Sequence, residues 1–271
     1  MKNNKEENIK SFSKSEISIN LIPEIIFEDK DYLIINKPAG LAVHPGGNIK
    51  EATLKDWLLE YLPEIKKVGE DESRPGIVHR LDMDVSGLMI IAKNQKSYNH
   101  LKLQFQERRV KKEYVALVHG KVIKDYDLID FPIKRSKDGY KMAAMPKNIN
   151  NLLIRRSPKS RDQGNLSGLF KAKEAITEFN VINRFVNYTL LNIKIMTGRT
   201  HQIRVHFFAY GHPLAGDSLY FTKKTKMKNE KLNLGRVFLF AKSISFSSLE
   251  NKVLNFSLEM PKELKEKLPK N

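Results

Sequence analysis

The stretch GIVHRLDMDVSGLMIIAK, residues 76–93, joins a polar loop bounded by two glycines to a short apolar run. Residues 88–92 have the length and the composition of a buried strand. A loop that leads directly into a rigid strand can present a side chain to a ligand. The loop carries Asp82 two residues after Arg80, although an aspartate beside an arginine more often forms an ion pair or a turn. The loop by itself therefore does not identify a catalytic aspartate.

Strand and helix patterns on both sides of this loop predict an α+β fold. Upstream, β-branched and aromatic residues over 25–36 flank an acidic turn and predict a β-hairpin. Thr53 and Asp56 form the pattern of a capping box before an amphipathic helix over 54–62. Downstream, the sequence predicts an amphipathic helix over 96–108. Further strands are predicted over 114–118, 175–182, 188–195, 237–246 and 253–258. Many strands with few helices between them indicate a mixed, largely antiparallel sheet.

The 271 residues of the chain suffice for one large domain or two ordinary domains of ~150 residues each. We expect one domain over 21–262, a polar N-terminal tail over 1–20 and a short C-terminal tail over 263–271. Within the domain, residues 131–174 hold eleven Lys or Arg residues against three acids. The least patterned part, 145–172, reads as a long mobile basic insertion that either contacts RNA or is merely solvated.

The composition is strongly basic, with 48 Lys or Arg residues against 31 Asp or Glu residues and a net charge of +17. This charge, part of which lies in a smaller basic loop predicted over 223–231, points to a polyanionic partner. The absence of cysteine excludes disulfides, thiolate metal sites and a cysteine nucleophile. The first residues lack the apolar block of a secretory signal, and no apolar run is long enough to span a membrane. We therefore expect a cytoplasmic protein without a membrane partner.

A second polar stretch, TGRTHQIRVH at 197–206, predicts the start of a helix that Thr200 caps. Several cationic side chains crowd this helix start. His201 and His206 have no cysteine or carboxylate nearby to complete a metal site, so we expect structural histidines and no metal. An arginine of this stretch placed against Asp82 would favour the ionised carboxylate that a nucleophile needs.

Five motifs occur in the order that RluA-type RNA pseudouridine synthases have, and the chain resembles that family. The motifs are KPAG at 37–40, HRLD at 79–82, KEY at 112–114, TGRTHQIRVH at 197–206 and GHPLAGDSLY at 211–220. The resemblance covers roughly 25–246 outside the basic insertion. It implies the catalytic fold of that family with a central RNA-binding cleft, no cofactor, and a monomer that isomerises uridine in ribosomal large-subunit RNA, transfer RNA or both.

The resemblance also implies roles for individual residues. Asp82 resembles the aspartate that attacks the target nucleoside, and Arg204 resembles the arginine that pairs with it. Tyr114 matches the tyrosine that stacks on the target base, Arg80 the arginine that assists base displacement, and Leu239 an apolar active-site leucine. Further contacts with RNA are expected from His79, Arg199, His201 and Lys37.

The chain departs from the family pattern at two of these sites. Val85 stands where threonine is usual, and Phe240 stands where histidine is common, so loop geometry or substrate preference is open at these points. Asp84 and Asp217 lie in turn-like contexts and are expected to be structural. Because nothing before residue 25 has room for an appended RNA-binding domain, we expect the catalytic domain and its basic loops to hold the RNA.

Two other functions stay open at this stage. The chain could be a non-catalytic RNA-binding or ribosome-assembly protein that uses the same fold. It could also be a hydrolytic glycosylase, although that chemistry normally requires a second carboxyl group. The sequence does not decide whether Asp82 adds to the sugar or to the uracil ring.

Overall fold

A computed structural model describes residues 21–46, 51–136, 139, 141–145 and 172–270 of the chain. The N-terminal tail predicted over 1–20 lies outside the described residues. So does the basic insertion predicted over 145–172, apart from the residues at its two ends.

Most of the strands belong to one sheet. The strands are β1 Glu24–Glu28, β2 Tyr32–Lys37, β3 Ser86–Ala92, β4 Lys111–His119, β5 Tyr126–Ile129, β6 Ile133–Arg135, β7 Met142–Ala144, β8 Thr177–Arg184, β9 Tyr188–Ile195, β10 Leu239–Ser247 and β11 Val253–Ser257. In the described part of the chain, one sheet has the order β1-β2-β3-β10-β4-β9-β8-β5 with β11 beside β10, while β6 and β7 form a separate pair. Among the strands that the structure describes, only β3 and β10 pair in parallel, and the other pairs are antiparallel. The predicted α+β fold with a mixed, largely antiparallel sheet is confirmed.

The helices are short and lie at the connections. They are α1 Leu54–Tyr61, α2 Gln95–Gln106, α3 Gln202–Ala209, α4 Lys223–Leu232 and α5 Lys262–Lys265, with one turn of 3₁₀ helix over Pro63–Lys67. The capping box predicted before α1 is present, since the Asp56 carboxylate accepts hydrogen bonds from the Thr53 N–H and hydroxyl. Trp57 is buried and stacks on Tyr61, as expected for a core residue.

The central strands bury both of their faces. Tyr114 of β4 and Leu239 of β10 lie in the large core cluster that also contains the inward side chains of α3. Their neighbours Val115 and Phe240 point to the other face and pack in a second cluster with Leu264 of α5. The alternation of side chains along a strand therefore separates the face of Tyr114 from the face of Phe240.

Three predicted boundaries differ from the structure. The basic loop predicted over 223–231 is helix α4: lysine favours helices, and Thr222 and Thr225 form a capping box at its start. The tail predicted over 263–271 begins with the end of α5, whose Leu264 is fully buried. The helix predicted over 96–108 ends at Gln106, because Arg108 has a left-handed backbone with φ +60°.

The hairpin predicted over 25–36 is formed by β1 and β2, and the strand predicted over 188–195 has these bounds in the structure. The short strands β5, β6 and β7 were not predicted, because three or four residues give too little alternation to recognise. None of the helices in the described ranges has the length and apolarity that a bilayer crossing requires.

Candidate active site

The loop that carries Asp82 depends on the two glycines that bound it. Gly76 and Gly87 have φ values of +69° and +121°. A Cβ atom at position 87 would lie 2.3 Å from the carbonyl oxygen of Ala241, since β3 and β10 pair closely at this point. Glycine is the residue that adopts such backbone angles without strain and leaves room for another backbone.

The KPAG turn at 37–40 is hydrogen-bonded to the loop that carries Asp82. The Lys37 ammonium is fully buried and donates hydrogen bonds to the carbonyl oxygens of Pro38, Leu41 and Met83, at 2.7, 2.8 and 3.1 Å. The Gly40 N–H also donates to the Met83 carbonyl, at 2.9 Å. Burial, aided by the charge of Arg236, lowers the pKa of Lys37 to about 7. The expectation that Lys37 contacts RNA is therefore corrected: its ammonium is enclosed by backbone carbonyls next to the Asp82 loop.

Arg204 lies on α3 and reaches two carboxylates. Its Nε and Nη2 atoms donate to the two oxygens of Asp217, each at 2.8 Å. Its Nη1 atom lies 3.3 Å from Oδ2 of Asp82. Burial alone would lower the pKa of Arg204, but the hydrogen bonds and charge of Asp217, with those of Asp82, raise that pKa above its ordinary value. The arginine is therefore a fixed cation, and the predicted meeting of Asp82 with Arg204 is present.

Asp82 keeps one oxygen available. Its side chain is 17% exposed, and among the described residues only Arg204 contacts its carboxylate, through Oδ2. The carboxylate faces a small cavity of about 50 Å³. The cavity is lined by Arg80, Leu81, Asp82, Val85, Tyr114, Ile195, His201, Gln202, Ile203, Arg204 and Leu239. The arrangement brings a carboxylate oxygen, a guanidinium that stabilises negative charge and an apolar wall together in one place.

Tyr114 and Leu239 line this cavity from the sheet. The registers pair Tyr114 of β4 with Ala241 of β10 and with Ile193 of β9, so the phenol ring stands on the face that carries the site. Burial, with a smaller contribution from the charge of Asp82, raises the pKa of Tyr114 above its ordinary value, so the phenol stays neutral. Of the two departures from the family pattern, Val85 lines the cavity, whereas Phe240 lies on the opposite face of the sheet.

The start of α3 differs from the prediction. The residue before the helix is His201, with φ +54° and ψ +23°, and not Thr200. The Nδ1 atom of His201 lies 3.0 Å from the hydroxyl of Tyr220, which also accepts the N–H of Met142 at 2.9 Å. Burial lowers the pKa of His201, so its ring is neutral at pH 7. The ring of His201 thus lines the Asp82 cavity in an orientation that Tyr220 fixes.

His206 and His79 are also neutral at pH 7. His206 is buried between the hydroxyl of Thr177 and the carbonyl of Phe131, which confirms a structural role. His79 accepts the N–H of Ile90 at 3.0 Å, and its ring stacks on Phe105. Burial, aided by Lys112, lowers the pKa of His79 to about 3. In the described ranges of the chain, no cluster of three or more His, Asp or Glu side chains could hold a metal ion.

A larger basic groove adjoins the Asp82 cavity. It encloses about 490 Å³ and shares Arg80, Tyr114 and Ile195 with the walls of that cavity. Of the described side chains that line it, none is Asp or Glu, whereas six are Lys or Arg: Arg74, Arg80, Lys102, Arg108, Lys112 and Arg199. Arg80 is exposed and lies 3.0 Å from His44. Arg199 is held by the backbone carbonyl of Glu174.

Asp217 and Lys112 have positions in the site that the sequence did not predict. Asp217 was expected to be structural, but its contact with Arg204 was not predicted. The two residues are 13 positions apart, and a contact at that distance leaves no local sequence pattern. Lys112 was noted only as part of a motif, yet its side chain lines the basic groove. Its position on β4, two residues before Tyr114, was the signal that could have revealed it, since alternate strand residues share a face.

The family model described as RNA pseudouridylate synthase matches residues 31–209 of the chain. An "Uncharacterized RNA pseudouridine synthase" of Aquifex aeolicus is 42% identical over 217 residues, which are 79% of this chain and 61% of that protein. A "Ribosomal large subunit pseudouridine synthase D" of Buchnera aphidicola is 36% identical over 273 residues, which are 97% of this chain and 78% of that protein. The chain thus spans less than two thirds of the Aquifex relative and about three quarters of the Buchnera relative.

A solved structure has a similar fold. Human RNA Pseudouridylate Synthase Domain Containing 1 superposes with a TM-score of 0.66 at 24% identity, over 91% of this chain and 86% of the human one. At this level of identity the similarity bears on the fold.

Proposed function

The chain belongs to the RNA pseudouridylate synthase family, and from this premise we propose that it converts uridine to pseudouridine in ribosomal large-subunit RNA, with Asp82 as the nucleophile. In this isomerisation the bond between N1 of uracil and C1′ of ribose breaks, and a bond between C5 and C1′ replaces it. The C5 proton is lost and N1 gains one, so no redox partner or transferred group is needed.

The observation that carries the proposal is the contact between Asp82 and Arg204 in a partly exposed cavity. The guanidinium lies beside the carboxylate, and the free oxygen can attack either the sugar or the uracil ring. Tyr114 offers an aromatic face in the same cavity, and a stacked base is worth ~1–3 kcal/mol. Leu239 closes the cavity with an apolar surface.

A uridine inside folded RNA has to leave its stack before a protein carboxylate can reach it, at a cost of a few kcal/mol. We assign Arg80 to the space that the nucleotide vacates, because its side chain is exposed at the border between the cavity and the groove. His79, Arg199 and His201 support the RNA from the walls of the groove and cavity. Ribosomal RNA as the substrate also agrees with the expected cytoplasmic location.

A hydrolytic glycosylase is disfavoured by the surroundings of the second carboxylate. Both oxygens of Asp217 are occupied by Arg204 and by the N–H groups of Leu219 and Tyr220. A carboxylate bound in this way neither activates water nor donates a proton. Release of free uracil from the substrate would reverse this ranking.

The test compares Asp82→Asn with Asp84→Asn, a matched change two residues further along the same loop. Each purified variant is incubated with large-subunit ribosomal RNA from cells that lack the gene, and pseudouridine is mapped by mass spectrometry. We expect Asp82→Asn to form no product while it still binds the RNA, and Asp84→Asn to remain active. Transfer RNA in parallel tests the substrate class.

Product formation by Asp82→Asn would reject Asp82 as the nucleophile. A wild-type protein that binds RNA without any conversion would instead favour the non-catalytic alternative.

A further inference from the structure

Lys112 differs from the other cations of the basic groove. Arg74 pairs with Asp71, Lys102 with Glu70, and Arg108 with Glu174. Arg80 contacts His44, and Arg199 donates to a backbone carbonyl. Among the described residues, no hydrogen-bond acceptor or carboxylate pairs with the Lys112 ammonium.

This ammonium lies close to an aromatic ring and to a glycine. Its Nζ atom lies 5.2 Å from the centre of the Phe105 ring and 3.7 Å from the position of a Cβ atom at Gly198. A half-buried ammonium that has lost water without gaining a counter-charge is costly. The charge is matched only when an anion enters the groove.

The position of the groove identifies the anion. Its wall continues into the cavity of Asp82 through Arg80, Tyr114 and Ile195. An RNA strand that delivers a uridine to Asp82 carries one phosphodiester per nucleotide past this wall. A lysine ammonium is a compact point charge that suits phosphate oxygens.

We propose that Lys112 binds a backbone phosphate of the RNA next to the target uridine, with the Phe105 ring and the glycine at 198 leaving space for it. This inference rests on the proposed function, since it assumes an RNA strand that leads to Asp82. It assigns Lys112 to substrate binding and not to the chemical step.

The environment of Lys112 predicts that RNA affinity depends on pH. Burial lowers the pKa of Lys112 to about 8. The charged or titratable groups that line the groove with it are His44 after β2, Arg74, Arg80 and the neutral His79 before β3, Lys102 and Arg108 around the end of α2, and Arg199 before α3. His79 stays neutral throughout the series, because burial lowers its pKa to about 3. The other groups of the groove are the same in every variant, so a difference between variants reports position 112. A phosphate bound to Lys112 requires the protonated amine, so affinity falls as the pH rises through 8.

The experiment measures RNA affinity in the Asp82→Asn background, so that turnover does not interfere. The probe is a short single-stranded oligouridylate, and the variants are Lys112→Met, Lys112→Arg and, as a matched control, Lys242→Met, an exposed strand lysine outside the groove. We expect Lys112→Met to weaken binding about tenfold and to lower the logarithmic salt slope by about 0.7. Lys242→Met should leave both unchanged.

The pH series separates phosphate binding from a packing role. In the parent, which carries Lys112, affinity should fall about threefold between pH 6.5 and 8.5, as the protonated fraction of a group with a pKa of about 8 declines. Lys112→Arg should bind at least as well as the parent and lose this decline, because arginine stays charged. Lys37, with a pKa of about 7, titrates in both proteins, so the difference between them reports Lys112.

Equal affinity of Lys112→Met and its parent, or an unchanged pH decline in Lys112→Arg, would overturn the inference. Either result leaves the proposed function intact, because that function is tested separately by pseudouridine formation in the wild-type protein and in Asp82→Asn.

Discussion

The carboxylates of Asp82 and Asp217 both contact the guanidinium of Arg204, but they differ in burial and in their hydrogen bonds. Asp217 is fully buried, and four hydrogen bonds from Arg204, Leu219 and Tyr220 occupy its oxygens. Asp82 is partly exposed and receives one longer contact. A carboxylate surrounded by fixed donors is a poor nucleophile, whereas one with a free oxygen beside a fixed cation is poised to attack. The contrast supports the proposal that Asp217 holds Arg204 in place and that Asp82 carries out the chemistry.

Removing the charge of Asp217 and that of Asp82 in separate variants tests this difference most directly. We expect Asp217→Asn to lower the free energy of unfolding by about 3–5 kcal/mol, because it leaves Arg204 buried without its main partner. Asp82→Asn should change that free energy by less than about 1 kcal/mol, since the lost contact is longer and partly exposed. Urea unfolding of both variants measures the difference. Equal destabilisation by the two changes would contradict the division of roles.

The Asp82 loop has its own support, and that support should respond to pH. Lys37 has a folded-state pKa of about 7, below the value near 10.4 of an exposed lysine. Between these values the unfolded chain binds a proton that the folded chain does not, so Lys37 makes the free energy of unfolding rise with pH; below pH 7 both states are protonated and the effect vanishes. We expect the wild-type protein to gain about 2 kcal/mol relative to Lys37→Met between pH 7 and 9.

Urea unfolding at several pH values tests this, with Lys252→Met as the control. Lys252 is exposed, so its loss should leave the pH slope of the wild-type protein unchanged. A parallel pH dependence in Lys37→Met and the wild type would mean that Lys37 is charged inside the fold.

Features that follow from local patterns could be predicted from the sequence, whereas features that depend on distant contacts could not. Residues 188–195 alternate clearly and become β9 with the predicted bounds, and the motifs around Asp82 and Arg204 predict their meeting correctly. Helix α4 was missed because it buries little apolar surface, so it has no periodic apolar face. Lys37 was expected to contact RNA from the family resemblance, and only the fold reveals the three carbonyls that enclose its ammonium.

The start of α3 was misjudged for a related reason. The pattern favoured Thr200 as the capping residue, yet His201 takes the left-handed conformation that usually falls to glycine or asparagine. Its hydrogen bond to Tyr220 comes from the Asp217 loop. No local rule predicts a conformation that a contact 19 residues away stabilises.

The smallest expected effect tests whether the Asp217 loop also orients the Asp82 cavity. Tyr220→Phe removes the hydroxyl that accepts the Met142 N–H and contacts His201, and we expect a loss of about 1 kcal/mol in the free energy of unfolding. Because His201 lines the cavity, pseudouridine formation should slow severalfold at saturating RNA. Tyr188→Phe is the matched control, since its hydroxyl has no hydrogen-bond partner among the described residues. If Tyr220→Phe lost stability and kept its full rate, the orientation of His201 would be irrelevant to catalysis, and the Asp217 loop would act on the site through Arg204 alone.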